Sequence, residues 1–126
     1  MDPETLLLRQ IHPSFVQLGR PTSQAFRPTL KDEYLLSVDD GSKIQPRASW
    51  ERFTSTPDSR SAGVMAVTFA ECKEQELPVV EDAAPFPEHC SIDFSNLTES
   101  SVKRKAKVLV SHAIQRDWLF KEILQT

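Results

Sequence analysis

The chain has 126 residues, 39% hydrophobic and 26% charged, with a formal net charge of −3. That length suits one domain over residues 1–126, and the composition excludes a disordered or fibrous chain. No apolar run approaches the roughly 20 residues that cross a bilayer, and the acidic start Met1-Asp2-Pro3-Glu4 is unlike a secretory leader, so a cytoplasmic protein without membrane contact is expected.

The first apolar run, Leu6 to Ile11, is short and stops at His12-Pro13, which predicts a strand. Ser14 to Gly19 reads as a single turn closed by Gly19, and Thr22 to Phe26, between Pro21 and Pro28, as a short extended piece. Tyr34 to Val38 is a strand that reaches the turn signal Asp39-Asp40-Gly41-Ser42. Pro46 suits the first turn of a helix carrying Trp50 and Phe53 on one face. Thr56 to Gly63 is the most loop-like stretch and is expected to be exposed.

Val64 to Val67 reads as a buried strand handing over to a short helix through a capping box, with Thr68 at the cap and Glu71 three residues on. Val79-Val80 and Ser91 to Phe94 are further strands, joined by a loop pinned at Pro85 and Pro87. From Thr98 to Arg116, Val102, Ala106, Leu109, Val110 and Ala113 recur on one face of a long helix. Trp118-Leu119-Phe120 is a final strand or an extension of that helix. The ensemble is an α+β domain: a small mixed sheet of four to six short strands with two or three helices, the long C-terminal one packed on the sheet.

Charge is unevenly spread. Residues 71–99 carry eight acids against one base, and residues 100–126 six bases against two acids. Lys103, Arg104, Lys105 and Lys107 crowd the first turns of the long helix, where positive charge opposes the helix dipole, so an acidic surface should compensate. The protein's own acidic segment, a protein partner or nucleic-acid phosphates could supply it. A sequence pI of 5.6 and the lack of interleaved aromatics disfavour nucleic acid.

The segment from Ile11 to Asp32 is dense in polar groups: His12, Arg20, Thr22, Ser23, Gln24, Arg27, Lys31 and Asp32. Guanidinium, hydroxyl and amide donors beside Gly19 are the chemistry that binds phosphate or carboxylate, although turn residues also satisfy their own backbone. The stretch Gly19 to Thr29 followed by Lys31-Asp32, with Gly63 to Val67 and Phe86-Pro87-Glu88-His89, resembles a pattern shared by small bacterial proteins of no known activity. The resemblance implies a bacterial origin and carries no catalytic residues over.

The order of Arg9, Thr22-Ser23 and a later acid also resembles small NAD-consuming ADP-ribosyltransferases. That resemblance implies a phosphate on Arg9, the nicotinamide ribose on Ser23, and Glu88 or Asp93 against a developing oxocarbenium charge. The chain has no paired Glu-x-Glu at the place such enzymes carry it. Cys72, His89, Cys90 and His12 lack the Cys-x-x-Cys or His-x3-His spacing of a zinc site, so neither metal nor cofactor is expected, and His89 should serve a loop or a ligand. The cysteines read as free, buried thiols rather than nucleophiles, Cys72 lying among acids. The leading expectation is an interaction module that binds a protein partner through the Arg20–Asp32 loop or the basic helix. The alternatives are a small enzyme acting on a nucleotide-like ligand and a nucleic-acid-binding protein.

Overall fold

Alternation sets the first strand. In β1 (Leu6–Ile11), Leu7, Arg9 and Ile11 point one way and Leu6, Leu8 and Gln10 the other. The computed structural model describes residues 1–122. In it β1 pairs over its whole length with β5 (Gly63–Thr68), and at Leu7–Asp40 and Leu8–Asp39 with β4 (Leu35–Asp40). β7 (His89–Asp93) joins the far side of β4, and the two-residue β6 (Val79–Val80) and β8 (Phe120–Lys121) close the edges. The result is a six-stranded sheet in the order β6-β7-β4-β1-β5-β8. All its ladders are antiparallel where mixed directions were expected.

One face carries the main core. Leu7, Ile11, Leu36, Val38, Met65, Val67, Cys90 and Ile92 meet Val102, Ala106, Leu109, Val110 and Ala113 of α3 (Glu99–Arg116). The five helix positions identified from periodicity are all buried. Thr98 caps α3 by accepting from Ser101 N at 3.2 Å. Asp117, with φ +72°, ends the helix, so Trp118 to Phe120 turn back into the edge strand β8.

α2 (Phe69–Glu74) begins with the expected capping box: Thr68 N donates to Glu71 Oε1 at 2.8 Å and Glu71 N to Thr68 Oγ1 at 3.1 Å. Glu71 also takes Arg116 in a two-pronged pair and sits 3.1 Å from His112 Nδ1. Burial works to raise its carboxyl, but these partners outweigh it and hold Glu71 below the usual carboxylate range. The acidic segment and the basic helix do meet here, through Arg116.

Two early elements differ from expectation. Ser14 to Gly19 is no single turn: a 3-10 turn (Pro13–Phe15) leads into a hairpin of β2 (Val16–Gln17) and β3 (Arg20–Pro21). Leu18 (φ +52°) and Gly19 (φ +77°) form its two-residue loop, both left-handed as such hairpin turns require. Thr22 to Phe26 is not extended either, because Ser23–Phe26 is a 3-10 turn. Ala25 and Phe26 are both buried, and consecutive residues of a strand could not enter one core together.

The other face has a smaller apolar patch, Leu8, Val64 and Ala66 with Trp50 and Phe120, under α1 (Pro46–Thr54). Gly63 lets β8 approach: a Cβ there would collide with Phe120 O and come within 2.9 Å of the Trp118 ring. The loop before it is not wholly exposed, since Ser61 is buried and Trp50 Nε1 donates to Ser61 O at 2.9 Å.

Candidate functional site

α1 lies over β1, β5 and β8 and leaves the β4–β7 side of its face uncovered. Ser37, on the central strand β4, is consequently exposed. The uncovered strip, walled by α1 and its exit on one side and by the loop before β7 on the other, is the floor of a cleft of about 420 Å³. That lies within the usual size range of small-molecule sites. Leu8, Phe15, Val38, Phe53, Pro85 and Phe86 give it an apolar lining, and Arg9, His12, Asp39, Arg52, Arg60 and His89 bring the charge and imidazole groups. Phe53 and Phe86 stay 40% and 42% exposed, a cost that neither ring's packing within the fold removes.

A hydrogen-bonded chain fixes the α1 wall. Ser61 Oγ lies 2.8 Å from Gln10 Oε1, Gln10 Nε2 donates to Ser49 Oγ at 2.9 Å, and Ser49 Oγ donates to Asp39 Oδ2 at 2.6 Å. Arg52 donates to the same Asp39 oxygen at 3.0 Å and pairs with Glu88. Its guanidinium carbon also sits 3.9 Å above the Phe86 ring, tying α1 to the opposite wall. Arg52 is thus neutralised inside the protein.

Arg9 is held differently. β1 and β4 part after Leu8–Asp39, and the Arg9 guanidinium spans the gap, with Nε donating to Ala25 O at 2.9 Å and Nη1 to Ser37 O at 3.0 Å. Burial pushes its pKa down to about 10, against the pull of Asp32, so it remains a cation at neutral pH. A guanidinium has five N–H donors, and the rest of Arg9's find no acceptor among the described residues. Neither Arg9 nor Arg60 forms an ion pair among those residues.

The two histidines of the cleft are wired in opposite senses. His12 Nδ1 accepts from Ser14 N at 3.1 Å and lies 2.8 Å from Ser14 Oγ, which leaves the ring proton on Nε2. His89 Nδ1 donates to Asp82 Oδ1 at 2.6 Å, and Asp82 Oδ2 accepts from Ser91 Oγ at 2.7 Å. Partial burial works to raise the Asp82 carboxyl, but those two hydrogen bonds and the charge of His89 hold it below the usual range. A carboxylate only accepts, so Nδ1 carries the proton and Nε2 the lone pair.

Of the residues singled out in the sequence, Arg9, His12 and His89 therefore come together. Arg20 is elsewhere, lining a second concavity with Leu18, Trp118 and Lys121. Ser23 and Gln24 belong to the 3-10 turn packed against α3. Thr22 Oγ1 is buried with no partner among the described residues. Lys31 and Asp32 are exposed, Asp32 accepting from Thr29 Oγ1 at 3.1 Å. Arg9 and Arg20 do not share a pocket, Glu88 is engaged by Arg52, and Asp93 accepts from Ser95 N at 2.8 Å. On α3, Lys103, Arg104 and Lys107 are exposed, whereas Lys105 is buried and donates to Gln75 O, which removes it from any partner surface.

Sequence reading missed Asp39, Ser49, Arg52, Arg60 and the aromatic rims. Asp39-Asp40 together form a turn signal in the sequence, yet only the Asp40 side chain serves the turn, accepting from Ser42 N at 2.9 Å, while Asp39 accepts from Ser49 and Arg52. The thiols are buried and free; burial raises Cys72 to about 12 and Cys90 to about 11, acidic neighbours adding to both, so each stays protonated. No helix among the described residues is long and apolar enough to cross a membrane. No family model, curated protein or solved structure matches the chain.

Proposed function

We propose that the protein binds a small organic anion, an aromatic or otherwise apolar body bearing a carboxylate or phosphate, in the cleft between α1 and the loop before β7. The observation that carries this reading is the spare guanidinium capacity of Arg9 and Arg60 in a cleft rimmed by half-exposed Phe53 and Phe86. A guanidinium meets carboxylate or phosphate with paired N–H donors, and aromatic rims remove the ligand's apolar body from water.

Titration calorimetry with 4-nitrobenzoate, and with uncharged 4-nitrobenzyl alcohol for comparison, tests the reading. The anion should bind and the alcohol bind at least about tenfold more weakly, the worth of a charge-assisted hydrogen bond. Arg60→Ser, at an exposed position, should erase most of that difference without altering thermal stability. Equal binding of both probes, or none, defeats the reading.

A second reading, a protein partner on the Arg20 side, is favoured by one observation. Leu18 is fully exposed at the hairpin tip in a left-handed conformation that a Leu adopts at a cost, beside Arg20. Leu18→Asn suits that turn better, so a stability gain of about 0.5 kcal/mol together with loss of a partner would support docking through the tip.

A further inference from the structure

We propose that His89, oriented by Asp82, is a general base that makes the cleft a hydrolytic site for esters carrying an anionic group. This rests on the ligand-binding reading above and adds chemistry to it. A histidine needs three things to accept a proton from a reacting molecule: a fixed tautomer with a bare Nε2, access to a cavity, and no protein group already occupying that nitrogen.

His89 meets all three. Asp82 fixes the Nδ1–H tautomer, and Ser91 in turn fixes Asp82. Asp82 is itself held in register because Ala83 N donates to His89 O at 3.0 Å, which folds the segment after β6 back along β7. The ring nitrogens of an imidazole point in divergent directions, so anchoring Nδ1 on Asp82 turns Nε2 away from it, and His89 lines the cleft. Nε2 has no hydrogen-bond partner among the described residues. The alternation of β7 sends the next residue, Cys90, into the opposite core, so the reactive face holds the imidazole without the thiol.

The charged groups around His89 are Asp82 after β6, Asp39 across the β4 ladder, Glu88 before it in the chain, and Arg52 from α1, which pairs with Asp39 and Glu88. Of these, Asp82 is the one hydrogen-bonded to the ring among the described residues. Nε2 makes no hydrogen bond to a hydroxyl or thiol among the described residues, so the proton His89 accepts comes from water. His12 complements it, since its Nε2–H is a donor on the same cleft and can meet a carbonyl oxygen as negative charge develops there.

The step balances with water as the sole co-reactant. Water loses a proton to His89 Nε2 as its oxygen bonds to the acyl carbon. The tetrahedral intermediate then breaks its bond to the alcohol oxygen, and the imidazolium returns the proton to that leaving group. The products are a carboxylic acid and an alcohol, with Arg9 and Arg60 holding the anionic substituent.

The experiment measures hydrolysis of mono-4-nitrophenyl succinate and of neutral 4-nitrophenyl acetate by release of 4-nitrophenolate, with 4-nitrobenzoate binding followed in parallel. The wild type should favour the anionic ester, and His89→Gln should lower kcat about 100-fold while 4-nitrobenzoate still binds. His112→Gln, a change on the opposite face beside Glu71, should leave the rate unchanged. Asp82→Asn tests the positioning role should the His89 variant fail to fold. It should lower kcat while leaving KM for the anionic ester and 4-nitrobenzoate binding unchanged, because Asp82 orients the imidazole and does not touch the ligand's anionic group. Retained kcat in His89→Gln, or an unchanged kcat in a folded Asp82→Asn, overturns the proposal. Binding of 4-nitrobenzoate without ester hydrolysis overturns it while leaving the ligand-binding reading intact; absence of both defeats both.

Discussion

The sheet's two faces solve the burial problem in opposite ways. The α3 face is covered from β7 to β5 by one long helix, the Ser23–Phe26 turn and α2, and its contact surface is almost wholly apolar, with Glu71, His112 and Arg116 gathered at its margin. The α1 face is covered by one short helix, with a small apolar patch and a polar chain running from Ser61 to Glu88. A protein needs only one complete core to fold, so the second face is free to keep an opening and to place aligned polar groups around it. Stability is expected to reside on the first face and recognition on the second.

The sharpest way to break that division is Phe26→Ala. Phe26 is fully buried between sheet and α3, and its loss leaves a cavity worth about 3–5 kcal/mol in chemical denaturation. The same change also loosens the turn whose Ala25 carbonyl holds Arg9. If the molecule loses less than about 1 kcal/mol, the α3 face is not the principal core.

A smaller effect sharpens the comparison at the margin of the closed face. Glu71 accepts two bonds from Arg116 and closes the capping box, so Glu71→Gln should cost about 2 kcal/mol near pH 7, the worth of charge-assisted hydrogen bonds that are partly shielded from water. The folded carboxyl is held below its ordinary range, so the unfolded chain binds the proton first as pH falls. The stabilisation is therefore complete above the ordinary carboxylate range and disappears as pH drops through the lowered folded value. Denaturation series from pH 7 down to pH 3 should show the wild-type advantage over Glu71→Gln shrinking toward zero; a constant gap would mean that Glu71 acts through packing rather than charge.

Legibility in the sequence followed the same division. The α3 face could be read because its signals are periodic and local: the apolar positions of α3, the Thr68–Glu71 box and the unbroken Val64–Val67 strand each declare themselves within a few residues. The cleft is assembled from β1, the Pro13–Phe15 turn, β4, α1 with its exit, and the loop before β7, so no window of sequence holds it. Its local traces are isolated residues: His12, His89 and Arg9, the last a charged residue alternating with Leu7 and Ile11 on the core-facing side of an apolar strand. The Arg20–Asp32 segment drew attention through polar density, yet Ala25 and Phe26 within it are core residues. Density of polar side chains reports a turn as readily as a site, and only the third dimension separates the two.

The smallest expected effect on stability bears most directly on the open face. Phe53 leaves the helical stripe that Trp50 begins: Trp50 packs against Phe120 with ring centroids 5.1 Å apart, while Phe53 stays 40% exposed at the cleft rim. Phe53→Ser should therefore change unfolding free energy by no more than about 0.5 kcal/mol, as surface substitutions do. It should nonetheless weaken 4-nitrobenzoate binding several-fold, since the rim ring contributes apolar contact only when a ligand is present. A residue that matters to binding and not to folding is what separates a recognition face from an unfinished core. Should Phe53→Ser destabilise the fold by more than about 1.5 kcal/mol, the ring already belongs to the protein's own packing, and the α1 face loses its claim to be the open one.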